Sequence, residues 1–165
     1  MNYNFQKVYW GDSKHTSVIF QPFEKIPQNV HPTACMVFVT DKESVLMVKS
    51  KRGWGLPGGH IEPEETPEQC ATREVHEEAS IEISDLKLVG GWITAKEFHT
   101  DDNQKYPDHG VMLLYAATTK RIDKFVAMHE TSERKFVAYS EIMKVHDGRS
   151  DFYEVCRYII NEKTP

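Results

Sequence analysis

Hydrophobic and polar positions along the chain change period several times, and each change marks an element. Residues 7–11 (KVYWG) and 16–23 (TSVIFQPF) are short β-rich runs, which predict two strands around a turn at Gly11-Asp12. A connector with two prolines follows (24–32). Residues 33–40 (TACMVFVT) and 44–50 (SVLMVKS) are dense apolar runs of strand length, and the short link between them predicts a hairpin. Residues 51–59 (KRGWGLPGG) form a glycine-rich loop. A helix is then predicted from Thr66, a capping hydroxyl, through Pro67 at the first helical position and Gln69 in a capping box, to an end near Ala79 or Ser80. Beyond it come a long strand at 85–98 bent at Gly90-Gly91, a polar loop at 99–110, and strands at 111–119 and 134–141. A closing helix at 151–162 places Phe152, Val155, Cys156 and Ile159 on one side. This order predicts an α/β (α+β) layered structure with a mixed sheet. It forms one domain, 1–165, with residues 1–30 as an extension of short strands.

Composition narrows the class. Apolar residues make up 39% of the 165 and charged residues 27%, the balance of a folded, water-exposed domain. No apolar run approaches the roughly 20 residues that span a bilayer, and the first residues lack the basic and apolar regions of a secretion signal. The expected location is therefore the cytoplasm. Cys35, Cys70 and Cys156 are scattered without CxxC spacing, as expected of reduced, buried thiols. A net charge of −5 argues against a broad nucleic-acid surface but not against a small phosphorylated ligand beside a bound cation.

The chemistry concentrates in the predicted helix and the loop before it. Seven glutamates lie between Glu62 and Glu78. At about 100° per residue, Glu77 and Glu78 fall within about 60° of Glu74 on either side, so the three carboxylates share one arc. Ala71, Val75 and Ala79 form a narrow stripe beside them that can pack closely on a sheet, while Thr72 and His76 face away. Like charges at this spacing repel. A solvated helix face is the simpler account of a charge run, and a hard divalent cation is the sharper one, because oxygen-only clusters suit Mg²⁺ or Mn²⁺.

The spacing of the surrounding residues favours the second account. The stretch resembles the Nudix box, G-x5-E-x7-R-E-U-x-E-E-x-G-U with U a bulky aliphatic residue. Gly59, Glu65, Arg73, Glu74, Val75, Glu77, Glu78 and Ile81 stand at the motif positions, and Ser80 replaces the second glycine. The box covers 23 of the 165 residues, and a looser resemblance in strand order extends over about 33–160. The resemblance implies an α/β/α sandwich with a loop–helix–loop metal site, and hydrolysis of a nucleoside diphosphate linked to another group. It implies Glu74, Glu77 and Glu78 as ligands of Mg²⁺ or Mn²⁺, with the Gly59 carbonyl as a further ligand and Glu65 and Arg73 as structural members. At Ser80 it implies a left-handed backbone position filled by a non-glycine residue.

Other residues are candidates on position alone. Lys49, Lys51 and Arg52 precede the glycine-rich loop and could meet phosphates, and Trp54 could stack on a base. A solvated strand end and a packing role are the ordinary alternatives. Glu130 and Glu133 lie before a strand where relatives carry a glutamate that acts as a metal ligand or general base. Glu133, nearer the strand, is the first choice and Glu130 the alternative, with Glu77 also named as catalytic. Phe98, Tyr106 and His109 flank the polar loop and are candidate pocket residues. His31, His60 and His129 have no ligand spacing among themselves. Two subfamily marks are missing: Lys96 stands where ADP-ribose hydrolases carry proline, and Phe98 where dinucleoside-polyphosphate hydrolases carry tyrosine.

These readings lead to a metal-dependent hydrolase acting on a diphosphate in a small nucleotide. A catalytically silent module of the same fold, binding a nucleotide or a protein, is the competing class. Retention of all three helix glutamates speaks against it. An isomerase of the isopentenyl diphosphate type would need a cysteine and histidine arrangement that the sequence lacks. The N-terminal strands are expected either to extend the sheet or to meet a second copy in a homodimer.

Overall fold

The computed structural model describes residues 2–10, 14–101, 103–127, 130–146 and 150–163. The expected turn at Gly11-Asp12 and His129 lie outside them. One mixed sheet organises the chain. Its strands are β1 (Val8–Trp10), β2 (Thr16–Gln21), β3 (His31–Asp41), β4 (Ser44–Ser50), β5 (Gly53–Gly55), β6 (Gly58–His60), β7 (Ile81–Lys96), β8 (His109–Ile122) and β9 (Glu133–Ala138). The main path runs β1-β2-β7-β8-β3-β4-β5, with β6 paired to β3 and β9 to β4. The β3–β8 pair at the centre is parallel and the other pairs are antiparallel.

Alternation along β3 builds both cores. Cys35, Val37 and Val39 face helix α1 (Pro67–Ala79), where Cys70, Ala71, Val75 and Ala79 close against them. Phe38 faces the opposite core, where helix α3 (Ser150–Glu162) contributes Phe152, Val155, Cys156 and Ile159. The result is the expected α/β/α sandwich. A short helix α2 (Ile142–Val145) lies between β9 and α3. No helix of the described residues is long and apolar enough to cross a membrane.

The N-terminal strands extend the sheet: β2 pairs with β7 from Thr16↔Lys96 to Gln21↔Gly91. Phe5 packs edge-on against Phe20 and Tyr158, which fixes the extension to α3. The expected bend in β7 is present. Gly90 has φ +152°, and a Cβ there would lie 2.5 Å from the Gln21 carbonyl oxygen, so the crossing with the end of β2 excludes a side chain. Two boundaries differ from expectation. The glycine-rich loop contains β5 and β6, three residues each, held by backbone pairing rather than by an apolar pattern. Strand β7 begins at Ile81 rather than Asp85, because a single residue, Ser80, turns the chain out of α1.

Candidate active site

Helix α1 starts as its sequence dictates. The Thr66 hydroxyl accepts from the Gln69 backbone N–H, and the Gln69 side chain accepts from the Thr66 N–H. Its end is less ordinary. Ser80 adopts φ 50° and ψ 47°, the left-handed position that the motif assigns to glycine. Arg134, on β9, covers this end: its guanidinium donates to the carbonyls of Ala79, Ser80 and Asp123. A cation at a helix C-terminus also meets the negative end of the helix dipole. No local signal marks the contact with the helix end, since Arg134 lies 55 and 54 residues from Ala79 and Ser80.

Arg73 links the loop to the helix. It donates to both oxygens of Glu65 (2.8 and 2.9 Å), to Glu74 (2.8 Å), to Glu77 (3.2 Å) and to the His60 carbonyl (3.2 Å). The forked hydrogen bond from Arg73 holds the Glu65 carboxyl well below the usual range, at about 2. Glu65 and Arg73 thus tie the loop to the helix.

Glu74 is buried, and Gly59 lies directly over its carboxylate. A Cβ on Gly59 would stand 2.3 Å from Oε1. Glu78 accepts from the Gly58 N–H at 2.9 Å. Burial pushes its carboxyl up to about 7, with the charges of Glu74 and Glu130 adding to the effect and Arg52 opposing it. Among the described residues no three acidic, imidazole or thiol side chains close into a full coordination shell. Arg73 stands between Glu74 and Glu77 instead. The donor set nevertheless suits a hard cation in an open site, with solvent and phosphate oxygens completing the shell. Its members are oxygens only, one buried carboxylate is cradled by a glycine, and a second is pushed towards protonation by burial, with neighbouring carboxylates adding to the effect.

Glu78, Gly58 and Gly59 line one end of a cleft of about 570 Å³, which also takes in Arg52, Trp54, His60 and Tyr106. The other position-based candidates separate. Glu133 pairs with Lys49 at 2.5 Å, is more than half exposed, and sits opposite Lys49 in the β4–β9 register. Lys49 is thereby paired and does not itself line the cleft. Trp54 lines the cleft, but Lys135 lies 4.0 Å from its ring centroid and Lys49 5.8 Å, so cations already cover its ring. Of the two loop glutamates, Glu130 is the one whose charge reaches Glu78. Phe98 packs edge-on against His15, a residue the sequence reading did not single out.

The model of the NUDIX domain matches residues 30–157. The chain belongs to the Nudix family. A Mycobacterium tuberculosis protein provisionally named 8-oxo-dGTP diphosphatase 3 is 33% identical over 97 residues, 58% of this chain and 42% of that one. The mouse diphosphoinositol polyphosphate phosphohydrolase 3-alpha is 44% identical over 61 residues, 34% of this chain and 37% of that one. The Nudix chain thus spans well under half the length of these curated relatives. Among solved structures, a variant of a Bacillus subtilis pyrophosphohydrolase superposes with a TM-score of 0.69 at 20% identity, over 95% of this chain and 96% of that chain. A Nudix hydrolase from Nitrosomonas europaea superposes at 0.62 and 18% identity, over 83% and 93%. These likenesses establish the fold. The match to the Nudix model begins at residue 30, so β1 and β2 lie outside it although they complete the same sheet.

Proposed function

We propose that this Nudix chain is a divalent-cation-dependent hydrolase that cleaves a diphosphate linkage in a small nucleotide or nucleoside diphosphate derivative. One observation carries the reading: Glu78, from the arc it shares with Glu74 and Glu77, opens into a cleft of nucleotide size beside Gly58 and Gly59. Glu74, Glu77, Glu78 and the Gly59 carbonyl would hold Mg²⁺ or Mn²⁺. When bound, such an ion neutralises phosphate charge and acidifies a water.

The chain's own groups supply the rest. Arg52, on the cleft wall, attracts and orients a phosphate. Arg73 keeps the loop seated on the helix, so that the carboxylates stay pre-organised. A general base must reach the attacking water without being a tight ligand itself. Glu130, electrostatically coupled to Glu78, is better placed for this than Glu133, which is occupied by Lys49.

Turnover of a nucleotide panel with Mg²⁺ and Mn²⁺ tests the reading. Glu78→Gln and Glu77→Gln are expected to lower it by at least about 10²-fold while the fold survives. Glu130→Gln is expected to lower kcat by about 10²–10⁴-fold with metal affinity little changed, and Glu133→Gln by far less. Binding without turnover across the panel would instead favour a silent nucleotide-binding module.

A further inference from the structure

The end of the cleft remote from Glu78 has a polar lining of its own. Trp92, Thr94 and Lys96 alternate along β7, so they share one face, and all three line the cleft. Thr16, opposite Lys96, and His15 join them from β2 and the residue before it. His15 is only 8% exposed and Asn103 only 2%.

The hydrogen bonds around Asn103 fix the state of His15. The Thr100 backbone N–H donates to Asn103 Oδ1 (2.9 Å), so Oδ1 is the oxygen. Asn103 Nδ2 therefore donates, to the Phe98 carbonyl (2.9 Å) and towards His15 Nδ1 (3.2 Å). Nδ1 must accept, and it accepts from the Thr16 hydroxyl as well (2.8 Å). With Nδ1 accepting, the ring proton sits on Nε2, and His15, which lines the cleft, offers a donor there. Lys96 adds a second donor. Its side chain is 7% exposed and its ammonium pairs with Asp108 at 3.2 Å, so this end carries donors with little net charge. A second phosphate would want net positive charge here. A neutral ring acceptor needs donors alone, and the indole of Trp92 supplies apolar surface for the ring.

We infer that this end is a base-recognition subsite for a nucleobase with a carbonyl edge (hypoxanthine, guanine or uracil type), read by His15 and Lys96, with Asn103 as the positioning residue. The inference rests on the nucleotide reading above. An amino-edged base such as adenine or cytosine would set its own N–H donors against these donors, leaving buried groups unpaired. His15 and Thr16 lie outside residues 30–157, whereas Trp92, Thr94, Lys96 and Asn103 lie within them, so the subsite joins this chain's extension to the matched domain.

The test is binding, without divalent metal, of IMP against AMP and of UMP against CMP, followed by tryptophan fluorescence. The carbonyl-edged member of each pair is expected to bind at least about 10-fold more tightly. The purine and pyrimidine pairs show which ring size the subsite takes. His15→Phe is expected to bring the ratio within about 3-fold, and His15→Gln, whose amide keeps a donor, to retain most of it. Lys96→Met, which leaves the exposed Asp108 solvated, is expected to lower the ratio independently. Equal affinities within both pairs, no binding of either, or an unchanged ratio in both His15→Phe and Lys96→Met would overturn the proposal. A preserved ratio in a protein that hydrolyses nothing would remove the catalytic reading and leave this one standing.

Discussion

Gly59→Ala isolates the contact between the glycine-rich loop and the glutamate helix. The new Cβ would lie 2.3, 2.6 and 2.9 Å from Glu74 Oε1, Cδ and Oε2. Ordinary contact needs about 3.4 Å or more, so the carboxylate must retreat by about 1 Å. The backbone is not the obstacle, since Gly59 does not have a left-handed φ and alanine there would itself contribute about 0.4–1 kcal/mol through the unfolded chain. Displacing Glu74 weakens its 2.8 Å bond from Arg73, a charge-assisted interaction of about 1.5–3 kcal/mol. The net expectation is a loss of about 1–2 kcal/mol in urea unfolding with an unchanged slope. A misplacement of about 1 Å in a catalytic group costs on the order of 10²-fold, so turnover should fall further than stability alone explains. Gly55→Ala is the control, because nothing lies within 4 Å of its Cβ. Its stability should rise by the same unfolded-chain gain of about 0.4–1 kcal/mol and its turnover should stay near wild type. If Gly59→Ala keeps wild-type turnover and is no less stable than Gly55→Ala, the cradle does not position Glu74.

Three further outcomes are expected. Ser80→Gly should stabilise the protein by up to about 1 kcal/mol, read as a rise in Tm with activity kept, because Ser80 occupies a left-handed position. Arg134→Met should cost about 2–3 kcal/mol in urea unfolding by stripping the carbonyls of Ala79, Ser80 and Asp123, and Arg134→Lys should recover less than half of that, since one ammonium cannot span all three. Folding lowers the pKa of Glu65 from 4.5 to about 2, so its stabilising contribution is complete above pH 4.5 and is lost as pH falls through 2. The stability gap between wild type and Glu65→Gln should therefore be widest near neutral pH and shrink in acid, and a gap independent of pH would show that the Arg73 pair does not depend on Glu65 ionisation.

Much of this architecture was legible in the sequence because it rests on local period and local chemistry. The capping box of α1, the apolar runs of β3 and β4, the bend at Gly90 and the apolar side of α3 each need only near neighbours in the chain. Fixed spacing made the loop–helix motif legible as well. Strands β5 and β6 left no pattern, because three residues of backbone pairing impose none on side chains. Closeness to a strand did not reveal that Glu133 sits directly opposite Lys49 and pairs with it, while the charge of Glu130 reaches Glu78. Arg134 at the end of α1 and Asn103 beside His15 are contacts across 54 and 88 residues, and no local rule reaches that far.

The parallel pairing of β3 with β8 has a consequence for folding order. Its register joins His31 to Gly110 and Thr40 to Thr118, so the whole of α1 and β7 lies inside the loop that this pair closes. Parallel neighbours of this separation carry a large loop-closure entropy before they return any contact energy, which makes them slow to form. Val111, Leu113 and Tyr115, which α1 packs upon, arrive only with β8. Until they do, the apolar cluster beneath the helix is incomplete, so an isolated segment ending before residue 109 should show less stable helix at residues 67–79 than the whole chain. The acidic arc is therefore a late product of folding, set in place when the centre of the sheet closes.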